Sequence, residues 1–126
     1  MREIVRVEID YAHRLMNHSG KCSRLHGHTS LVMVEIEGNP DEKTSMIIDF
    51  NDIKDVIKRN LDHRTLLNKD DPIKKFIPKE WVVEFNGDPT VENILLYIRD
   101  VLLKNFNITM IEVREGSGGV VRWRRE

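Results

Sequence analysis

The chain opens on an alternation. In "REIVRVEIDYAH", residues 2–13, Val5, Val7, Ile9, Tyr11 and His13 share one parity, and charged residues fill much of the other. Strand side chains point to opposite faces in turn, so this pattern predicts a half-buried strand. "HGHTSLVMVEIEG", residues 26–38, repeats it, with His26, His28, Ser30, Val32, Val34 and Ile36 on one face. "GNPDEKT" then reads as a turn. Here the period changes. In "DFNDIKDVIKRNL", Phe50, Ile53, Val56, Ile57 and Leu61 recur at helical spacing, with Asp and Asn at the start for capping. Residues 64–88 contain Pro72, Pro78 and "NGDP" and read as irregular. "PTVENILLYIRDVLLKNF" carries the clearest helical stripe: Val91, Ile94, Leu95, Ile98, Val101 and Leu102. Its entry has Pro89 for the first turn and Asp88 or Thr90 as cap. "ITMIEVREG" alternates again, with Ile111, Val113 and Glu115 together, and Gly116, Gly118 and Gly119 turn the chain into a last strand, "VVRW".

The predicted order is strand, strand, helix, helix, strand, strand. Four strands with two helices make an α+β domain, an antiparallel sheet with both helices on one face. The sheet edges need pairing or protection, which makes oligomerisation through them an expectation. At 126 residues the chain suits a single domain, 1–126. Composition adds mainly exclusions. With 40% hydrophobic and 33% charged residues the chain reads as globular, and a net charge of −1 gives no support for a nucleic-acid or membrane-surface partner. The basic tail "VRWRRE" is too short to change that. A single cysteine forms no internal disulfide, and "MREIVRVEID" lacks the apolar run of a signal peptide, so the expected location is cytoplasmic.

The chemistry gathers near one place. "KCSRLHGH" holds Cys22, the only cysteine, together with His26 and His28. Histidines at i and i+2 of a strand point the same way and can grip one ion. His13 ends the first strand on its apolar parity, so pairing of the two strands would bring three imidazoles together. Three neutral nitrogen donors with an open fourth position describe a catalytic zinc site. A closed structural zinc site with Cys22 as fourth ligand is the competing reading, and with it a non-catalytic zinc-stabilised binding module.

These residues carry a resemblance. "YAHRL", "KCSRLHGH", "MIIDF", "LDHRTLLN", "DPTVENILLYI" and "VREG" run in order over nearly the whole chain. They resemble the 6-pyruvoyl-tetrahydropterin synthase / 6-carboxy-tetrahydropterin synthase family. The resemblance implies the tunnelling fold, a four-stranded antiparallel sheet with two helices, trimerising and stacking as a homo-hexamer. It implies that His13, His26 and His28 bind Zn2+, that Cys22 is the proton-abstracting base, and that Asp62 and His63 complete a proton relay. Glu115 would anchor the pterin, and Thr90 and Glu92 would line the same pocket.

Three residues, Ser23 to Leu25, separate the cysteine from HGH. That spacing resembles the 6-carboxy-5,6,7,8-tetrahydropterin synthases of the 7-deazaguanine (queuosine/archaeosine) route, which are lyases acting on 7,8-dihydroneopterin triphosphate. The animal-type pyruvoyl synthases have a longer insertion. The aldolase-like branch uses a glutamate that is absent between Cys22 and His26. Some positions depart from the family pattern. Tyr11 stands where a small residue is usual, and Ser45 replaces a glycine. "HGHTS" lacks the common Asn or aromatic after HGH, and Trp123 sits near the usual tyrosine. These departures bear on pocket shape and leave the zinc ligands intact.

Overall fold

The two long alternating segments become strands β1 (Arg2–His13) and β2 (His26–Glu37), in a computed structural model that describes residues 1–126. They pair antiparallel without interruption, from Arg2 opposite Glu37 to His13 opposite His26. Helix α1 (Phe50–Leu61) follows, then strands β3 (Arg64–Asn68) and β4 (Val82–Phe85), helix α2 (Val91–Leu102), and strands β5 (Ile108–Glu115) and β6 (Gly119–Arg124). All six strands form one sheet in the order β4-β3-β1-β2-β5-β6.

The sheet therefore has six strands where four were expected, and it is mixed. The four expected strands are antiparallel neighbours, whereas β3 runs parallel to β1 and β4 parallel to β3. Both additional strands lie in the segment that reads as irregular. The physical reason is their setting. β3 is an interior strand whose consecutive Leu66, Leu67 and Asn68 are all buried, so it shows no alternation, and β4 has only four residues. A short strand covered on both faces leaves no period to read.

Both helices cover the face bearing Val5, Val7, Ile9, Val32, Val34, Ile111 and Val113, in one apolar cluster. Asp49 caps α1, accepting a hydrogen bond from the Asn51 N–H at 2.9 Å. Ile53, Ile57 and Leu61 are buried, but Phe50, expected on the same stripe, is exposed in the first turn. Thr90 caps α2, and Ile94, Leu95, Ile98 and Leu102 are buried, each worth about 1.5–3 kcal/mol of apolar transfer. Pro89 thus lies just outside the helix. Ser45, at the position of a usual glycine, adopts φ 62°, a left-handed conformation that costs a residue with a Cβ more than it costs glycine. No helix is long and apolar enough to cross a membrane.

The opposite face carries no helix and is held by charge. Glu112 is 2% exposed and accepts hydrogen bonds from Arg122 Nε at 2.8 Å and Arg114 Nε at 3.2 Å. The Arg122 hydrogen bond, aided by Arg114 and opposed by burial, holds the Glu112 carboxyl below its usual range. A depressed native pKa stabilises the fold fully above the ordinary carboxyl value of about 4.3, and that contribution disappears as pH falls through the native value. Glu112→Gln is expected to cost on the order of 1–3 kcal/mol at neutral pH, with the gap to the parent chain closing below about pH 4. Denaturant unfolding of both proteins across pH 2–7 checks this; a gap independent of pH would refute it.

Candidate metal centre and active site

Strand register builds the centre. His13 lies opposite His26 and Tyr11 opposite His28, at the end of the β1–β2 ladder and on its helix-covered face. The ligand atoms of His13, His26 and His28 all lie within 4.8 Å of one another. The three rings meet edge to face, with centroids 4.7 to 5.1 Å apart.

Tautomers decide what this cluster is for. His13 Nδ1 lies 2.8 Å from the Pro89 carbonyl oxygen, and His26 Nδ1 lies 2.6 Å from that of Arg24. A carbonyl only accepts, so both Nδ1 atoms donate and both Nε2 atoms of the neutral rings hold lone pairs. Those two Nε2 atoms are 3.1 Å apart. Two lone pairs at that distance repel unless a cation or proton lies between them. Burial pushes the His13 imidazole below the usual histidine range, although the Pro89 carbonyl and Glu115 oppose it. A metal ion fits. The donor set is three imidazole nitrogens, two of them oriented by backbone carbonyls, which could hold a divalent metal ion.

Several tethers hold the surrounding loops. The Leu15 N–H donates to the Cys22 carbonyl at 2.9 Å, closing the loop between β1 and β2, and Cys22 sits in a one-turn 3-10 segment, Lys21–Ser23. Arg14 Nε donates to the buried Asp71 at 2.6 Å, tying that loop to the turn after β3. Asp88 accepts from Asn17 N–H and from Asn68 Nδ2, both at 3.0 Å, and so fixes the turn that presents the Pro89 carbonyl.

Cys22 lines a recess of its own with Lys21, Arg24, Leu25, His26 and His28. It is half-buried and a free thiol, beside the histidines but outside the set of converging ligand atoms. Glu115 points into the other side of the centre, with Oε1 3.7 Å from His13 Nε2. Tyr11 donates to that same Oε1 at 2.6 Å and is 2.8 Å from Ser30 Oγ. Burial first, and then the hydrogen bond to Glu115, push the Tyr11 phenol far above its ordinary value, so it remains a protonated donor. Thr90 Oγ1 accepts from the Asn93 N–H at 3.2 Å as helix cap, and Glu92 is exposed in the first turn of α2.

Asp62 and His63 are placed elsewhere. Asp62 Oδ1 accepts from the Asp10 N–H at 2.8 Å, and the His63 N–H donates to the Asp10 carbonyl at 2.6 Å. Asp62 Oδ2 lies 3.1 Å from His63 Nδ1, so the carboxylate orients the ring. His63 adopts φ 58°, and its exposed ring opens onto a groove whose lining includes Asp10, Ala12 and Thr29 together with Tyr11 and His28. This groove and the recess at Cys22 have only His28 in common, so within one chain the pair and the thiol line different recesses. Three participants escape a reading of the sequence: the Pro89 and Arg24 carbonyls, which have no side-chain signature, and the Tyr11–Ser30 pair. The last had a signal, since both residues share the histidines' parity.

Comparisons with known proteins show the family and the fold. A family model described as 6-pyruvoyl tetrahydropterin synthase matches residues 4–126. The 6-carboxy-5,6,7,8-tetrahydropterin synthase of Rickettsia typhi is 32% identical over 124 residues, covering 87% of this chain and 90% of its own. The protein of the same name from Rickettsia felis is 31% identical over 125 residues, with the same coverage. Among solved structures, the 6-pyruvoyl tetrahydropterin synthase of Caenorhabditis elegans superposes with TM-score 0.69 at 18% identity, covering 100% of this chain and 96% of that one. The Plasmodium vivax enzyme of that name gives 0.68 at 20% identity, with 100% and 99% covered. At such identities the structures speak for the fold.

His26→Ala and His28→Ala each remove one of three donors. Each is expected to lower bound metal from about one ion per chain to near zero, because two imidazoles hold a divalent ion weakly. Elemental analysis of the purified variants is the check, and full occupancy in both would overturn the assignment.

Proposed function

From the premise that the chain belongs to the 6-pyruvoyl tetrahydropterin synthase family, we propose that it is a zinc-dependent 6-carboxy-5,6,7,8-tetrahydropterin synthase. Its substrate would be 7,8-dihydroneopterin triphosphate, and its place the biosynthesis of 7-deazaguanine nucleosides (queuosine or archaeosine). The single observation that carries the reading is the convergence of three imidazoles beside a free thiol. The spacing of Cys22 from the His26–His28 pair and the names of the relatives favour the carboxy product.

Zinc at the three histidines, when bound, would polarise the hydroxyls of the substrate's side chain and favour their ionisation. The chain's own groups do the rest. Cys22, as thiolate, is the base that removes the proton from the pterin side chain. Glu115 orients the pterin by accepting hydrogen bonds from its ring N–H and amino group, a two-point charge-assisted contact. Thr90 and Glu92, at the start of α2, would line the pterin pocket. His63, oriented by Asp62 at 3.1 Å, holds and returns a proton.

That last role supports the oligomeric part of the reading. Asp62–His63 and Cys22 line different recesses of one chain, so a relay joining them would draw on a second copy that brings its own pair to the cysteine. A homo-oligomer, a trimer or a stacked hexamer, would provide this and cover the sheet edges at β4 and β6. A free thiol acting as base needs a reducing compartment, so the reading includes a cytoplasmic location.

The products test the proposal. Incubation of the purified protein with 7,8-dihydroneopterin triphosphate should release both acetaldehyde and triphosphate. Triphosphate alone would instead indicate the pyruvoyl synthase. Cys22→Ala is expected to retain its metal while turnover falls at least about 100-fold, the usual scale for a lost general base. Metal analysis and single-turnover kinetics on that variant check this. Loss of zinc in parallel with activity would mean that the thiol is a ligand of a closed site.

A further inference from the structure

The Tyr11 side chain crosses a strand. Tyr11 stands on β1 and Glu115 on β5, with β2 between them. Neighbouring strands lie about 4.8 Å apart, so the phenol must pass over the middle strand to reach the carboxylate. The residue it passes is Ser30, which pairs directly with Glu115 in the β2–β5 register and is fully buried. A serine leaves room for the ring, and a bulky side chain at that position would close the route. The large residue at 11 and the small one at 30 are thus two halves of one arrangement.

Hydrogen-bond direction follows from the partners. The Glu115 carboxylate accepts, so Tyr11 donates its single proton to Oε1 at 2.6 Å. The Ser30 hydroxyl, 2.8 Å away, must then donate to the phenol oxygen. The result is a one-way chain from Ser30 to Tyr11 to Glu115, with Tyr11 4% exposed and its ring braced edge-on against His13 at 5.3 Å. A rotamer-rich glutamate at the end of a strand is thereby held in one orientation, with Oε2 and the remaining lone pairs left for a ligand. His13 Nε2, 3.7 Å from the same oxygen, does not compete, since the bond from Nδ1 to the Pro89 carbonyl leaves it without a proton to donate.

We infer that Tyr11 is a positioning residue for pterin recognition, acting through Glu115, and that Ser30 completes it by orienting the phenol. The inference rests on the pterin reading above and goes beyond it, because it assigns selectivity for the 2-amino group of the ring to a residue that does not touch the ring. An aligned carboxylate meets a ring N–H and an amino group together; a carboxylate free to rotate meets them one at a time.

Calorimetric titration with biopterin and with the corresponding 2-oxo pteridine, on zinc-loaded protein, separates the possibilities. Tyr11→Phe keeps the ring and removes only the hydroxyl. It should weaken biopterin binding about 10- to 100-fold, the range for a hydrogen bond to a charged group. The 2-oxo compound, which cannot use the paired contact, should lose far less, so the preference for the amino ring collapses. Metal content and oligomer size should stay as in the parent chain. Ser30→Ala should shift the same preference in the same direction by a smaller factor, and it serves as the test should Tyr11→Phe misfold. An unchanged preference in both variants, with Glu115→Gln abolishing biopterin binding, would overturn this inference alone. Parent-like biopterin affinity in Glu115→Gln, or no biopterin binding by the parent chain, would overturn it together with the pterin reading.

Discussion

The antiparallel register of β1 against β2 places His13 opposite His26 and Tyr11 opposite His28, and the site depends on that registration more than on any single contact. A slip of one residue in either strand would send the histidines to the other face of the sheet. The register is enforced by burial: Val5, Val7, Ile9, Val32, Val34 and Ile36 are all within 5% of complete burial on the same face as the imidazoles. The core and the metal centre are therefore two ends of one alternation. Packing of the apolar end determines the geometry of the polar end, and two carbonyls then turn the rings so that their lone pairs converge.

The helix-free face obeys different rules. Its interior is a buried carboxylate, Glu112, between Arg114 and Arg122 on β5 and β6, an arrangement worth keeping only if the face stays ordered. Elsewhere the Asp62–His63 pair docks onto the N–H and carbonyl of Asp10. The chain thus keeps in different recesses two chemical groups that the proposed reaction needs together. Separation within a chain and reunion between chains makes assembly part of the chemistry in this reading, and it gives the exposed edges a purpose beyond solubility.

The segment 64–88 ties these features together. It supplies two parallel strands, the buried Asp71 that holds Arg14 next to His13, and Asn68, which with Asp88 fixes the turn carrying the Pro89 carbonyl. A stretch without periodicity turns out to brace the loops and the carbonyl beside the histidines. Parallel strands gain their burial from both sides and from distant parts of the chain, so their own residues carry little pattern.

What the sequence determined by itself is the part of the molecule governed by period and by local chemistry. Alternation located β1, β2 and β5, the glycine turn after β5 located β6, helical spacing located α1 and α2, and the parity of His13, His26 and His28 placed all three on one face, because side-chain direction follows from backbone geometry alone. Motifs in order over the chain pointed to the family. Tertiary structure alone decided the rest: the parallel strands β3 and β4, the tautomers set by the Pro89 and Arg24 carbonyls, the reach of Tyr11 over Ser30 to Glu115, and the placing of His63 in a groove apart from the recess at Cys22. Each of these is a meeting of residues far apart in the chain, or of a side chain with a backbone group that every residue possesses. No local pattern encodes such a meeting; it exists only once the core has packed.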